Sequence, residues 1–373
     1  MTVLPGKTIG IIGGGQLGRM MCLAAKAMGY RVAVLDPSPG CPCGQAADIE
    51  ITAGYGDMDA LKRLAEASDV VTYEFESIDG AALERLGKIA NLPQGSAALL
   101  TAQHRLREKS AIRAMGIPVP DFMPIRGARE LEEKAFYPSV LKTATGGYDG
   151  KGQAVLRSAG DLAAAGKIAE SGECILEELV RFDREISVIV ARGAGGESAV
   201  FPVAENAHAG GILRMTIAPA RIPRELEARA VECALKIAEG LGSVGVIAVE
   251  MFAVGGGVLV NEIAPRPHNS GHFSIDACAA SQFEQHVRAV CGLPLGDPAQ
   301  LAPAVMANIL GEHLGGGLEP YLPLLARGKL HLYGKAEAKM GRKMGHLTML
   351  GDVGESLRAL GAAGIWGSEE LPR

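Results

Sequence analysis

Lys142 and Lys151 bracket the run Thr-Ala-Thr-Gly-Gly-Tyr-Asp-Gly, and Gly152 follows at once. Glycines at 146, 147, 150 and 152 free the backbone to wrap closely round a ligand. Backbone N–H groups with two ammonium groups beside them suit a polyphosphate. The spacing is not that of a P-loop, which opens a helix. Here strand-like segments at 139–142 and 153–157 flank the loop, so it reads as a flap over a nucleotide. An ordinary glycine-rich hairpin would need neither lysine.

A second concentration of chemistry lies further along. Segments 244–252 and 257–263 read as a hairpin, with Glu250 and Glu262 near the ends of the two strands, where they can face one another. Two carboxylates at the ends of apolar strands need a partner, and a magnesium ion that also takes nucleotide phosphates is a natural one. Arg266, His268, Asn269, Ser270 and His272 follow directly, stiffened by Pro265 and Pro267. A guanidinium, imidazoles, an amide and a hydroxyl beside a metal suit a small oxyanion. Glu177 and Glu178 end a strand at 174–176, and Glu185 lies just downstream; they can accept from an adenine amino group or ribose hydroxyls. Lys335, Arg342 and Lys343 recur with His346 near the C-terminus and suit a phosphate. Gly13-Gly-Gly-Gln-Leu-Gly18 matches the dinucleotide fingerprint after a strand, with Asp36 near the expected acidic position. A nicotinamide oxidoreductase would account for that fingerprint, but not for the flap or the paired glutamates. The same turn also serves any anion at a helix N-terminus. A non-catalytic nucleotide-binding regulator would have no need of Arg266, His268 and Asn269.

These groups need elements to hold them. Residues 8 to about 95 alternate strands (8–12, 31–35, 70–73) with helices (17–28, 58–67, 81–89), which implies a parallel sheet covered on both faces. A charged amphipathic helix spans 99–115 and ends at Gly116-Ile-Pro-Val-Pro120. Strands follow at 185–191, 198–202 and 213–217, with a helix at 225–241. The 373 residues exceed one typical domain. The expected division is an N-terminal α/β domain at 1–98, a linker helix with a small lid at 99–178, and a larger α+β domain at 179–373. Hydrophobic content is 48% and aromatic content 4%, so the core is aliphatic. A net charge of −5 argues against non-specific nucleic-acid binding. No apolar run approaches a membrane span and no signal peptide is evident, so a cytoplasmic protein is expected. The cysteines are thinly spread; Cys41-Pro-Cys43 lacks a second pair or a nearby His, so zinc is not expected there.

Taken together, the motifs resemble the ATP-grasp superfamily, and within it the branch of ligases that carboxylates 5-aminoimidazole ribonucleotide in microbial purine synthesis. The resemblance runs through nearly the whole chain. It rests on Gly14-Gly-Gln-Leu-Gly-Arg-Met20, Thr72-Tyr-Glu-Phe-Glu76, Gly146-Gly-Tyr-Asp-Gly-Lys-Gly-Gln153, Asn261 to His272, and Gly341-Arg-Lys-Met-Gly-His346. Relatives elsewhere in the superfamily carry Asn two residues after the second metal-site Glu, where this chain has Ala264. The resemblance implies a three-domain architecture with ATP between lid and C-terminal domain. It also implies Mg²⁺ on Glu250 and Glu262, and bicarbonate activated as carboxyphosphate. Lys109, Lys142, Gly147, Lys151, Glu177, Glu178, Glu185, His208 and Asn261 would hold the nucleotide, with Lys109 and Lys142 on phosphates. Asp149, Arg266, His268 and Asn269 would be catalytic. Gln16, Leu17, Glu74, Tyr148, Lys335, Arg342 and Lys343 would hold the ribonucleotide. A homodimer is implied as well. The nearest rival within the superfamily is a ligase that forms an acyl phosphate, such as a formate-dependent glycinamide ribonucleotide transformylase.

Overall fold

The computed structural model describes residues 2–147 and 152–372. Tyr148, Asp149 and Lys151, all expected in the site, lie outside the described residues.

Three sheets carry the chain. The first is built from β1 (Thr8–Ile12), α1 (Gln16–Ala27), β2 (Arg31–Asp36), β3 (Ile49–Thr52), α2 (Met58–Glu66), β4 (Val70–Tyr73) and α3 (Gly80–Leu86). Its strands run parallel in the order β3-β2-β1-β4. Nearly every residue of β1, β2 and β4 is buried, as expected of strands covered on both faces. β3 is absent from the sequence expectation because Ile49-Glu-Ile-Thr52 is a short edge strand with alternate residues exposed. The chain turns to opposite sides of β1 to make β2 and β4. Loops at their carboxyl ends therefore open a crevice at a topological switch point.

The expected helix at 99–115 is two helices, α4 (Ala97–Ala102) and α5 (Arg105–Ala114). Neither Pro nor Gly marks the break. Tertiary bonds make it: Gln103 donates through Nε2 to the carbonyls of Glu76 and Ile78, His104 is extended, and Arg105 N donates to the carbonyl of Ala144. Arg105 is thereby placed at the start of α5.

The second sheet, order β5-β8-β6-β7, comprises β5 (Phe122–Ile125), β6 (Ser139–Thr143), β7 (Gln153–Leu156) and β8 (Cys174–Glu178), backed by α6 (Ala128–Lys134) and α7 (Leu162–Ala169). β6 and β7 are the two strands that flank the glycine loop. The third is a 9-stranded antiparallel sheet. Its strands are β9 (Arg184–Arg192), β10 (Ser198–Val200), β11 (Ala204–Ala209), β12 (Ile212–Ala218), β13 (Gly245–Val254), β14 (Gly257–Ala264), β15 (Ala304–Leu310), β16 (Gly328–Leu332) and β17 (Lys343–Leu350). α8 (Arg224–Gly240) lies between β12 and β13 in sequence; α9 (Ser274–Ala277) and α10 (Gln282–Val290) follow β14, and α11 (Val353–Ala362) closes the chain. The hairpin of β13 and β14 forms about the expected turn, and β9 pairs along nearly all of β13. An aliphatic core of Ile186, Val188, Ile247, Val249, Val260 and Ile237 sits under α8.

Candidate active site

The three sheets converge on one cavity of about 1410 Å³. On the N-terminal side stands the turn from β1 into α1. Gly13 has φ +99°, and a Cβ there would lie 2.4 Å from Cγ of Glu74. That closeness lets Gly15 N and Gly18 N donate to the two carboxylate oxygens of Glu74, at 2.5 Å each. The helix N-terminus therefore takes an anion from its own chain, supplied by the residue after β4. Asp36 accepts from Gly14 N at 2.8 Å and from the Tyr55 hydroxyl at 2.7 Å. The dinucleotide alternative fails on these contacts. The pyrophosphate position belongs to Glu74, and one Asp36 oxygen already holds a backbone N–H and a phenol. Burial raises the Glu74 pKa, partly offset by the two N–H groups. Gln16, Leu17 and Glu74 do line the cavity.

The β13–β14 hairpin forms the opposite wall. Glu250 and Glu262 are register partners, as expected. A β-bulge follows, in which Met251 pairs with Val260 and Asn261 is the extra residue. The bulge turns Asn261 to the cavity, where its Oδ1 is buried without a hydrogen-bond partner among the described residues. Glu250 lies 3.1 Å from His268 Nε2, and Arg105 Nη1 donates to Glu262 at 2.9 Å. Burial, then the neighbouring Glu262 charge, pushes Glu250 up to about 7. Burial alone would raise Glu262 as well, but Arg105, then Lys142, hold it down to about 2. Two carboxylates whose pKa values are driven apart form a site that gains from a cation. With the unpaired Asn261 oxygen between them in sequence, the donor set is all oxygen and fits Mg²⁺.

The loop after β14 is clamped by Gln282, which accepts from His268 N at 2.9 Å and donates to the His268 carbonyl at 2.7 Å. Ser270 N donates to His268 Nδ1, so the proton sits on Nε2 facing Glu250. Burial, then Arg266, drives the His268 pKa well below its ordinary value, so the ring is neutral and donates as an amide would. Arg266 pairs with Glu76 at 2.6 Å, which fastens this loop to the N-terminal domain. Both amide atoms of Asn269 are buried and have no partner among the described residues, and the residue lines the cavity.

On the lid side the geometry departs from the expected direct contacts. Lys109 is fully buried, donates to the Val260 carbonyl at 3.2 Å, and lies 3.8 Å from Glu177. Glu177 itself is buried and binds Lys142 at 2.7 Å. Lys109 and Glu177 therefore form a charged relay behind Lys142, off the cavity wall; Glu178 is exposed at the end of β8, also off it. Burial pushes Lys109 down to about 8; it would raise Glu177, but Lys109 and Lys142 outweigh it and lower that carboxyl. Lys142 and Gly147 do line the cavity, as do Glu185 and His208, which bind each other through Oε2 and Nδ1. Burial would lower His208, but the Glu185 hydrogen bond outweighs it and raises the pKa. Lys335, Arg342 and Lys343 also reach the wall; His346 does not. Val140, Val155, Leu179 and Phe252 give the cavity an apolar face between lid and large domain.

Sequence reasoning missed Arg105, Glu76 and Glu108. Glu108 accepts from Ile263 N at 2.7 Å, and burial pushes its pKa up to about 8. Glu76 stood in the Thr72–Glu76 run without a role of its own; no motif marks Arg105 or Glu108, and an Arg and an acid in the first turn of an amphipathic helix are indistinguishable from a solvated face.

A nucleotide lid on one side, an antiparallel sheet bearing paired acids on the other and a parallel-sheet domain completing the cavity define an ATP-grasp ligase. The chain matches the ATP-grasp domain over residues 110–283, the ribonucleotide synthetase preATP-grasp domain over 6–103, and the phosphoribosylaminoimidazole carboxylase C-terminal domain over 304–360. It is 51% identical over 352 residues to the N5-carboxyaminoimidazole ribonucleotide synthase of Bacillus subtilis, covering 93% of this chain and 92% of that one. A crystal structure of the ADP complex of an N5-carboxyaminoimidazole ribonucleotide synthetase superposes with a TM-score of 0.95 at 54% identity, over 99% of both chains. The Aspergillus clavatus enzyme in complex with ADP and 5-aminoimidazole ribonucleotide superposes at 0.88 and 31% identity, over 96% of this chain and 97% of that one. The chain belongs to the N5-carboxyaminoimidazole ribonucleotide synthase family of ATP-grasp ligases.

Proposed function

We propose that this chain uses ATP and bicarbonate to carboxylate 5-aminoimidazole ribonucleotide on its amino nitrogen, giving ADP, phosphate and N5-carboxyaminoimidazole ribonucleotide in purine biosynthesis. The observation that carries the mechanism is the opposed Glu250/Glu262 pair with the unpaired Asn261 oxygen, next to the Arg266–Asn269 loop in one cavity.

The adenine ring lies against Val140, Val155, Leu179 and Phe252, with the Glu185–His208 pair at the ribose side. Lys142, aimed by Glu177 and Lys109, meets the phosphates. Glu250, Glu262 and Asn261 would hold Mg²⁺, which would supply charge neutralisation at the transferred phosphoryl group. Arg266, neutral His268 and the free Asn269 amide hold bicarbonate and then carboxyphosphate. Bicarbonate is a poor electrophile; phosphorylation makes one of its oxygens a leaving group. Breakdown inside a closed cavity gives CO₂, which the substrate amine captures before water does. Lys335, Arg342 and Lys343 take the ribonucleotide phosphate, and Gln16, Leu17 and Glu74 the rest of it. On sequence grounds Asp149 is assigned to the amine, Tyr148 to the ribonucleotide and Lys151 to the nucleotide. Three separate sheets support a division of the chain near 98 and 178.

A cytoplasmic homodimer is the state proposed. Among the described residues no helix is long and apolar enough to cross a membrane. Leu318, Leu322 and Leu325 are exposed together near a 3₁₀ segment, which suits a second copy; a monomeric mass by light scattering would remove that part of the reading.

Phosphate release tests the reaction. ATP cleavage is expected to require bicarbonate and to be coupled to an acid-labile carboxylated ribonucleotide. Cleavage that ignores bicarbonate, or turnover with formate and glycinamide ribonucleotide in its place, would overturn it.

A further inference from the structure

Away from the nucleotide cavity, Asp276, His331 and His346 converge from α9 and the β16–β17 hairpin. One ligand atom from each lies within 4.8 Å of the other two. We propose that these three residues form a site for a divalent transition metal of the zinc type, distinct from the oxygen-ligand pair of Glu250 and Glu262.

The donor chemistry separates the two sites. Two imidazoles and one carboxylate suit zinc, cobalt or nickel; all-oxygen sets suit magnesium. The ligands are also prepared. His331 and His346 are register partners on adjacent antiparallel strands, and their rings stack with centroids 4.5 Å apart. His346 Nδ1 meets the Tyr333 hydroxyl at 2.8 Å, which fixes the ring. Among the described residues its Nε2 is buried with no hydrogen-bond partner, a state that costs free energy until something fills it. Asp276, nearly buried, sits 2.8 Å from His331 Nε2. His272, whose Nε2 is also buried and unpartnered, stacks obliquely on His346 at 5.0 Å. Burial lowers the His346 pKa, so at neutral pH the ring is uncharged and its lone pair available.

Binding asks one ring to turn: the two stack within 16° of parallel, and in-plane lone pairs on parallel rings do not meet at one ion. Tetrahedral zinc, with bonds of about 2.0–2.2 Å, sets its ligand atoms about 3.4 Å apart. Asp276 and His331 must part slightly, and the His331 side chain, 30% exposed, has room to turn and gives the ion a way in. Three protein ligands leave a fourth position for water. A bound ion would tie α9, just after the Arg266–His272 loop, to the hairpin whose connecting loop holds Lys335 and whose second strand begins at Lys343.

The test is zinc retention by the full chain after dialysis, with Co²⁺ absorption as a report of imidazole ligation. Wild-type protein is expected to hold one zinc per chain, to show tetrahedral Co²⁺ bands and to melt higher with zinc. His331→Gln, at a partly exposed position, is expected to weaken zinc at least tenfold and to abolish the bands, with its far-ultraviolet circular dichroism unchanged. Asp276→Asn is the second variant should His331→Gln misfold. Glu262→Gln, which alters the other site, is expected to keep the zinc. No retained zinc, equal retention in wild type and His331→Gln, or loss of zinc in Glu262→Gln would each overturn the proposal.

Discussion

At the start of α1 two backbone N–H groups meet a carboxylate supplied by the neighbouring strand, Glu74. At the β13–β14 hairpin two carboxylates meet each other, and an amide oxygen beside them meets nothing. Both places carry sequence patterns that announce a ligand: a glycine fingerprint in one, paired glutamates in the other. In the first the backbone donors are saturated from within, so the turn takes no pyrophosphate and instead fixes Glu74 in the crevice wall beside Gln16 and Leu17. In the second the chain cannot satisfy itself. Glu250 is pushed up and Glu262 down, Arg105 and His268 lean on them, and Asn261 and Asn269 stay open. Metal and oxyanion chemistry belongs where buried polar groups remain unpaired, because each such group costs free energy until a ligand arrives.

The sharpest way to break this contrast is Glu262→Gln. It should leave the fold intact and lower bicarbonate-dependent ATP cleavage by about 10³-fold, about 4 kcal/mol of transition-state stabilisation. Wild-type turnover at ordinary Mg²⁺ would remove Glu262 from the metal site. Next, Arg266→Ala should depress ATP cleavage by about 10²- to 10³-fold at every ribonucleotide concentration, because carboxyphosphate loses its cation. Rescue by excess ribonucleotide would place Arg266 on the other substrate. Arg342→Ala should raise the KM for the ribonucleotide by roughly 10- to 150-fold, about 1.5–3 kcal/mol, with a smaller effect on bicarbonate. A change confined to the bicarbonate KM would reverse the assignment of the two half-sites.

A fourth measurement sharpens the electrostatics. Glu250 titrates near 7 in the folded chain against an ordinary 4.5. Stability from its protonation is therefore present below pH 4.5 and lost as pH rises through 7, where a cation must take the proton's place. Apparent Mg²⁺ affinity by calorimetry should weaken about tenfold per pH unit below 7, and Glu250→Gln should flatten that slope. A flat wild-type profile would mean that the pair does not share a proton. The smallest effect belongs to the other region. Glu74→Gln offers one acceptor where two N–H groups need one each, and should lower stability by about 1–2 kcal/mol. An unchanged melting temperature would show that Glu74 does not close the helix.

Most elements were legible because periodicity and burial agree. β1, β2, β4, α8 and the β13–β14 hairpin fall within a residue or two of their expected limits. β3 and β11 were not, since Ile49-Glu-Ile-Thr52 alternates and Ala204-Glu-Asn-Ala-His-Ala209 holds no large apolar residue. Their pairing comes from neighbours, β2 for one and β9 and β12 for the other. The α4–α5 break was invisible for the same reason, as its cause lies in bonds to Glu76, Ile78 and Ala144.

The sequence by itself determined the alternation of elements, the flap between two strands, the facing of Glu250 and Glu262 and the cluster that follows them. These are local: strand period 2, turn chemistry and covalent adjacency settle them. Only the tertiary structure decided that Glu74 caps α1, that Lys109 and Glu177 stand behind Lys142, that Arg105 reaches Glu262 and that Arg266 is pinned by Glu76. Each joins segments far apart in sequence. Which charge a buried group meets depends on how sheets and helices pack, and no local pattern encodes that distance.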